Sequence, residues 1–386
     1  MTLKKTGSGT GKQSLSRRRL LATAGKGALA GAAAIGFPAI IGKAPISSAK
    51  AAFEGEQLIV VSWSGNYELV FREHVIDPFN AKYGTKAETV GGWDQMINQI
   101  VAAPADNPPY DIIVAEEFIG STGLAENVYV KRDDSKIPNL STVYPWFFET
   151  RPQAATAFGV PFGGGTTMLL ANKRAGGVEN SWKSLWDERF KGKVTMDSNA
   201  FWYTLSVPAL TYGTGISDVW TWPDKTTKLI EEIEKLKIAK WYKDGAEQAN
   251  IMLQEEALVA MSYSSDGYTF LQQAPDEFDL TVPTEGVAAW ADWYFKIRGT
   301  HHSELADLFM NYLLEKETQD RVLANSSIFM ARKDVAVPSH WKGYPAGNED
   351  YHRMFQVITM EGWAQLLPNW EAIDKRWKEA VLKTSS

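Results

Sequence analysis

The chain has 386 residues, with 40 Lys and Arg against 46 Asp and Glu, a formal net charge of −6, and no cysteine. Disulfides, thiolate metal sites and thiol nucleophiles are thereby excluded, and the acid excess argues against nucleic acid or an anionic membrane surface as partner. The length suffices for two domains with a large interior, and 15 tryptophans are enough that some must line a surface or cleft as well as fill the core.

Residues 1–51 read as a targeting segment. A basic stretch ends in Ser16-Arg17-Arg18-Arg19-Leu20-Leu21, which matches the twin-arginine export pattern, and a Gly/Ala-rich run to Ile41 leads to a small-x-small cleavage site at Ala49-Lys50-Ala51. The expectation is export by the twin-arginine machinery, cleavage near Ala51 and a periplasmic mature protein. Gly7-Ser8-Gly9-Thr10-Gly11-Lys12 imitates a phosphate-binding loop, but no strand precedes it and Gln13 stands where Ser or Thr is required. The segment carries nine of the 40 basic residues and no acid, so its removal leaves 31 basic against 46 acidic residues and a net charge of −15. That balance mildly favours a cationic ligand, and on charge alone it equally suits surface acid that keeps an exported protein soluble. No later stretch is long and apolar enough to span a bilayer.

From residue 52 the pattern alternates strand and helix. QLIVVS (57–62) reads as a strand, ELVFREHVIDPFNAKYG as a helix ending at Gly84, KAETVGG as a second strand, WDQMINQIVAA as a helix and YDIIVAEE as a third strand. A βαβαβ order implies a mainly parallel sheet covered by helices, with ligands beyond the carboxyl ends of the strands. That rule nominates the loop from Trp63 to Tyr67 and the pair Glu116-Glu117. Further on, TTMLLANK reads as a strand after a flexible Gly163-Gly164-Gly165, and SWKSLWDERFKGKVTMDS as a helical segment with a short strand ending near Asp197. DKTTKLIEEIEKLK reads as an amphipathic helix capped by Asp224, with apolar positions 229, 230, 233 and 236 on one face. ALVAMSY (257–263) is a strand opening onto a Ser264-Ser265-Asp266-Gly267 loop, and GVAAWADWYFKI (286–297) is a strand on which Trp290, Asp292 and Tyr294 share a side.

The order WSGNY, DPFNAKYG, YDIIVAEE, SWKSLWDERFKGKV, the acid near 266, PTEGVAAWAD and LADLFMNYLLEKETQ resembles the spermidine/putrescine-binding group of solute-binding proteins of ABC importers, over essentially all of the chain after residue 51. Glu285-Gly286-x-x-x-Trp290-x-Asp292 is the most specific piece. The resemblance implies an α/β, two-lobed periplasmic binding fold of type II, with a mainly parallel sheet in each lobe and two crossover strands as hinge. It places lobe I at 52–163 and 291–386 and lobe II at 164–290. It further implies a monomer that captures a small cationic solute, such as putrescine or spermidine, and delivers it to a membrane permease, with no cofactor and no metal.

In that family, ammonium groups lie against aromatic rings and each is neutralised by a carboxylate. Trp290 and Asp292 match this pattern. Trp63 and Tyr67 match the aromatic pair after the first strand, Tyr263 stands where relatives often carry Trp, and Asp197 and Asp266 fall at strand exits where an acid is common. Glu116 and Glu117 depart from the family, which has small hydroxyl and aromatic residues there. Tyr294 is expected to pack in lobe I. A sugar, thiamine or a quaternary amine fits an aromatic and acidic cleft nearly as well. A ferric-ion binder of this family would use adjacent tyrosines, and no Tyr-Tyr pair occurs. The enzyme alternative is an exported carboxylate-based glycosidase, which has no local motif; G-x-S-x-G and H-E-x-x-H are missing, and His301-His302 reads as an exposed helix start.

Overall fold

The computed structural model describes residues 46–93, 95–339 and 341–385. The twin-arginine pattern and the Gly7–Lys12 loop lie outside them; Ala49-Lys50-Ala51 lies in a helix, Ile46–Phe53. No helix among the described residues is long and apolar enough to cross a membrane.

Ten strands are described: β1 (Gln57–Trp63), β2 (Lys86–Gly92), β3 (Ile112–Ala115), β4 (Gly159–Asn172), β5 (Val194–Thr195), β6 (Val259–Tyr263), β7 (Phe278–Thr281), β8 (Val287–Lys296), β9 (Phe329–Met330) and β10 (Phe355–Val357). They run in the order β2-β1-β3-β8-β4-β6-β5, with β10 on β8 and β7 and β9 on β4. The expected parallel order holds for β2-β1-β3. Beyond β3 the sheet is mixed, because β8 runs antiparallel to β3 and β4 antiparallel to β8. The two long strands β4 and β8 join the halves of the fold. β4 pairs with β8 from Gly159 to Thr166, then continues as the partner of β6 and β7 from Thr167 to Asn172. This α/β, two-lobed architecture is that of the periplasmic binding proteins.

Local chemistry explains the turn from the first helices into β2. The helical stretch from Asn66 to Tyr83 stops at Gly84, whose φ of 72° places it in the left-handed region that glycine tolerates. Asn80 then joins helix to strand, its Oδ1 accepting from Thr85 Oγ1 and Ala87 N at 2.7 and 2.8 Å.

Several elements differ from the sequence reading. Gly163-Gly164-Gly165 is no flexible lead but the buried middle of β4. Residues 182–190 form two short 3-10 turns instead of an α-helix, because Ser181 and Asp187 accept from the backbone N–H groups two residues on. The helix over residues 226–234 buries Leu229, Ile230 and Ile233 as expected, with Leu236 buried just beyond it, but it starts at Thr226 with Lys225 at its N-cap, and Asp224 makes no cap. Thr226 ties this start to the preceding turn, its hydroxyl reaching the carbonyls of Asp218 and Val219. Ser264 to Gln273 is helical instead of a loop, anchored where Thr166 N donates to Ser264 Oγ. Finally, the last helix, Trp370–Thr384, packs on mid-chain elements although the sequence reading grouped it with lobe I. Arg376 and Lys383 both pair with Glu234 at 2.7 Å, and Trp377 Nε1 donates to Ser198 O at 2.8 Å.

Candidate ligand-binding site

The site is built around β8, where β1, β3 and β4 converge. Alternation along β8 sends Asp292 and Tyr294 to one face and Trp293 and Phe295 to the other. Asp292 is fully buried. Its Oδ1 accepts from Trp63 Nε1 at 2.7 Å, across a sequence separation of 229 residues. Its Oδ2 is buried with no hydrogen-bond partner among the described residues. Burial pushes the Asp292 carboxyl up to about 7, against hydrogen bonding from Trp63 and from the Tyr67 hydroxyl and the charge of Arg151. Such a group costs free energy unless something pairs with it.

Aromatic rings surround this carboxylate. Trp63 closes the end of β1 and stacks on Trp93, with centroids 5.4 Å apart. Tyr67 is buried at the start of the following helix, its hydroxyl 3.4 Å from that of Tyr294, and burial holds its pKa well above the usual phenol value. Tyr294 stacks on Phe71 inside the core. Two residues before Asp292, the half-buried Trp290 covers Gly165 of β4, where a Cβ would fall 2.0 Å from the indole. Its ring lies 5.1 Å from Tyr203 and 5.9 Å from Tyr263.

The remaining acids are not equivalent to Asp292. Glu117 is buried in an ion pair with Arg151, so its carboxylate already has a partner inside the protein. Glu116, half-buried before the helix Glu117–Ala125, acts electrostatically on both Arg151 and Tyr203. Asp197 is buried and spent within its own turn. Its oxygens accept from Asn199 N at 2.7 Å, Ala200 N at 3.3 Å and Tyr263 Oη at 2.5 Å, so it orients Tyr263. Asp266 is half-buried over Gly245, at the start of the helix Gly245–Leu253; burial, helped by Asp197 and Asp244, raises its carboxyl to about 6. No group of three or more His, Cys, Asp or Glu suited to a metal is found among the described residues.

The model of the bacterial extracellular solute-binding proteins matches residues 107–349, well over half of the chain. The chain belongs to this family. The solute-binding protein is 23% identical over 218 residues to the spermidine/putrescine-binding periplasmic protein of Escherichia coli, a match covering 55% of this chain and 61% of that relative's length. Among solved structures it resembles an extracellular solute-binding protein from Bordetella parapertussis, with a TM-score of 0.69 and 20% identity over 84% of this chain and 98% of the other. It also resembles the spermidine/putrescine substrate-binding protein of Streptococcus pneumoniae, with a TM-score of 0.67 and 17% identity over 84% and 99% of the two chains.

The solute-binding protein thus brings Trp63, Tyr67 and Asp292 together, with Trp290, Tyr203 and Tyr263 in a second aromatic group beside them. Two contributors escaped the sequence reading. Tyr203, the third residue of the helix following Asp197, carried no motif, although an aromatic pair Trp202-Tyr203 after a strand exit was a usable signal. Arg151 enters from a loop distant in sequence, and burial lowers its guanidinium to about 9 while Glu116 and Asp292 hold it up. Its pairing with Glu117, together with bonds to Phe147 O and Thr150 Oγ1, explains why an arginine is tolerated there.

Proposed function

We propose that the protein is the periplasmic solute receptor of an ABC importer, capturing a small organic cation at Asp292 between its two lobes and delivering it to a membrane permease. One observation carries the ligand class. Asp292 is a fully buried carboxylate, beside Trp63 and Tyr67, that keeps one oxygen without a hydrogen-bond partner among the described residues. A protonated amine supplies what that oxygen lacks, a charged N–H donor, and the rings supply the faces on which alkylammonium groups rest. A quaternary ammonium has no N–H and would leave Asp292 Oδ2 unsatisfied, so a primary or secondary amine fits better. Putrescine and spermidine, the amines in the relatives' names, are the first candidates.

Cellular placement follows the same reading. The twin-arginine pattern directs export, the leader is removed near Ala51, and the lobes divide near Gly163 and Trp290, where β4 and β8 cross side by side. The receptor acts as a monomer and turns over no substrate. The test is calorimetric titration of residues 52–386, refolded to strip carried ligand, with putrescine, spermidine, choline, thiamine and maltose. Binding of the diamine or triamine that weakens with salt supports the proposal; binding of maltose alone refutes it.

A further inference from the structure

Among the exposed large apolar side chains, Trp93 stands apart. Its residue is 53% exposed, yet its indole stacks on Trp63, a residue only 6% exposed, at an interplanar angle of 27°. Trp63 in turn donates to Asp292. Asp292, Trp63 and Trp93 therefore form a continuous series from the buried carboxylate to solvent.

The backbone around Trp93 is drawn in to make this contact. Trp63 and Gly92 are register partners at the carboxyl ends of two parallel strands, the edge at which open α/β sheets bind ligands. A Cβ on Gly92 would meet Val61 Cγ1 at 2.5 Å, and one on Gly91 would meet Glu68 Oε2 at 2.6 Å. The double glycine thus lets the end of β2 close against β1 and the helix Asn66–Phe71. Trp93 N-caps nothing with its side chain, and its carbonyl takes the Met96 N–H as the next helix begins. Local folding accounts for the position of the backbone and leaves the exposed indole unexplained, since a wet tryptophan beside an aromatic wall forgoes the burial its ring favours.

We propose that Trp93 is a ligand-binding residue, forming with Trp63 the outer wall of the Asp292 subsite and covering the cationic end of the bound solute. This rests on the reading of Asp292 as the amine pole. The solute would offer its ammonium to Asp292 and its adjoining methylenes to the exposed indole, which becomes dry only when the site is filled. Trp93 then favours solutes whose charged end adjoins an apolar chain over compact hydrophilic cations.

The experiment titrates putrescine into wild type, Trp93→Ala, Trp93→Leu, Trp93→Phe and Asp292→Asn, with a melting curve for each. Expected is a loss of roughly 3- to 30-fold in affinity for Trp93→Ala and Trp93→Leu, recovery to within about threefold in Trp93→Phe, and unchanged melting of all three. The Leu variant separates an aromatic face from mere cover. A blue shift in tryptophan emission on adding putrescine should be present in wild type and reduced in Trp93→Phe. Wild-type affinity in Trp93→Ala, with binding lost in Asp292→Asn, overturns the role of Trp93 and leaves the amine pole standing. Binding retained in Asp292→Asn, or absent from wild type, overturns both.

Discussion

At Asp292, folding leaves one carboxylate oxygen bonded by Trp63 and the other with no hydrogen-bond partner among the described residues. Its pKa, lifted to about 7 by burial, couples ligand affinity to pH. As pH rises from 6 to 8 the carboxyl ionises and putrescine should bind more tightly, by up to about tenfold, with Asp292→Asn showing a flat profile in the same titrations. Stability of the free protein should move the other way. A folded-state pKa above the unfolded value gives a contribution fully present below the unfolded value near 4 and lost as pH rises through about 7. The ligand-free melting temperature of wild type should therefore fall between pH 5 and 8 relative to that of Asp292→Asn. The N–H requirement is tested with choline, expected to bind at least about tenfold more weakly than putrescine; equal affinities would contradict the role given to Oδ2. Strand alternation and the Trp-x-Asp spacing made the shared strand of Trp290 and Asp292 legible in the sequence. The partners of Asp197 and Glu117 were not legible in the same way. The N–H groups that occupy Asp197 are backbone groups with no sequence signature, and Arg151 lies 34 residues from Glu117.

The β4–β8 ribbon shows why element-level reading fails at glycine. The residue type that suits a flexible loop also suits a strand pressed against its neighbours, and only the facing element distinguishes them. At Gly163 and Gly164 a Cβ would stand about 2 Å from the carbonyl oxygens of Phe329 and Trp290 (2.1 and 2.0 Å), and at Gly165 it would strike the Trp290 indole. Gly165→Ala should consequently destabilise the protein by about 1–3 kcal/mol in urea unfolding and weaken putrescine binding by displacing Trp290. A neutral result on both would show that Trp290 moves freely and is not held as part of the site. The βαβαβ order of residues 57–115, by contrast, was readable from the sequence, because alternating burial along β2 and the stop at Gly84 mark the ends of its elements.

Over the whole molecule, β4 and β8 pair through the middle of the sheet, while Asn66 Nδ2 donates to Thr269 Oγ1 at 2.8 Å between two helices adjoining the candidate site. Asn66 precedes Tyr67, and Thr269 lies one turn beyond Asp266, so this exposed bond joins elements that carry site residues from each side. Asn66→Ala should speed putrescine release about 2- to 10-fold in stopped-flow experiments without altering the melting temperature. The helix Trp370–Thr384 lay beyond what its own pattern discloses: an amphipathic stripe predicts that a helix packs, and the Glu234 ion pairs decide on what. The measurement that bears most directly on the whole account is calorimetric titration of putrescine into wild type and Asp292→Asn at pH 8. Wild type is expected to bind, and the variant, with its fold retained, to lose about 30-fold or more in affinity. Equal affinity in the two proteins would contradict the assignment of Asp292 as the cation-binding carboxylate.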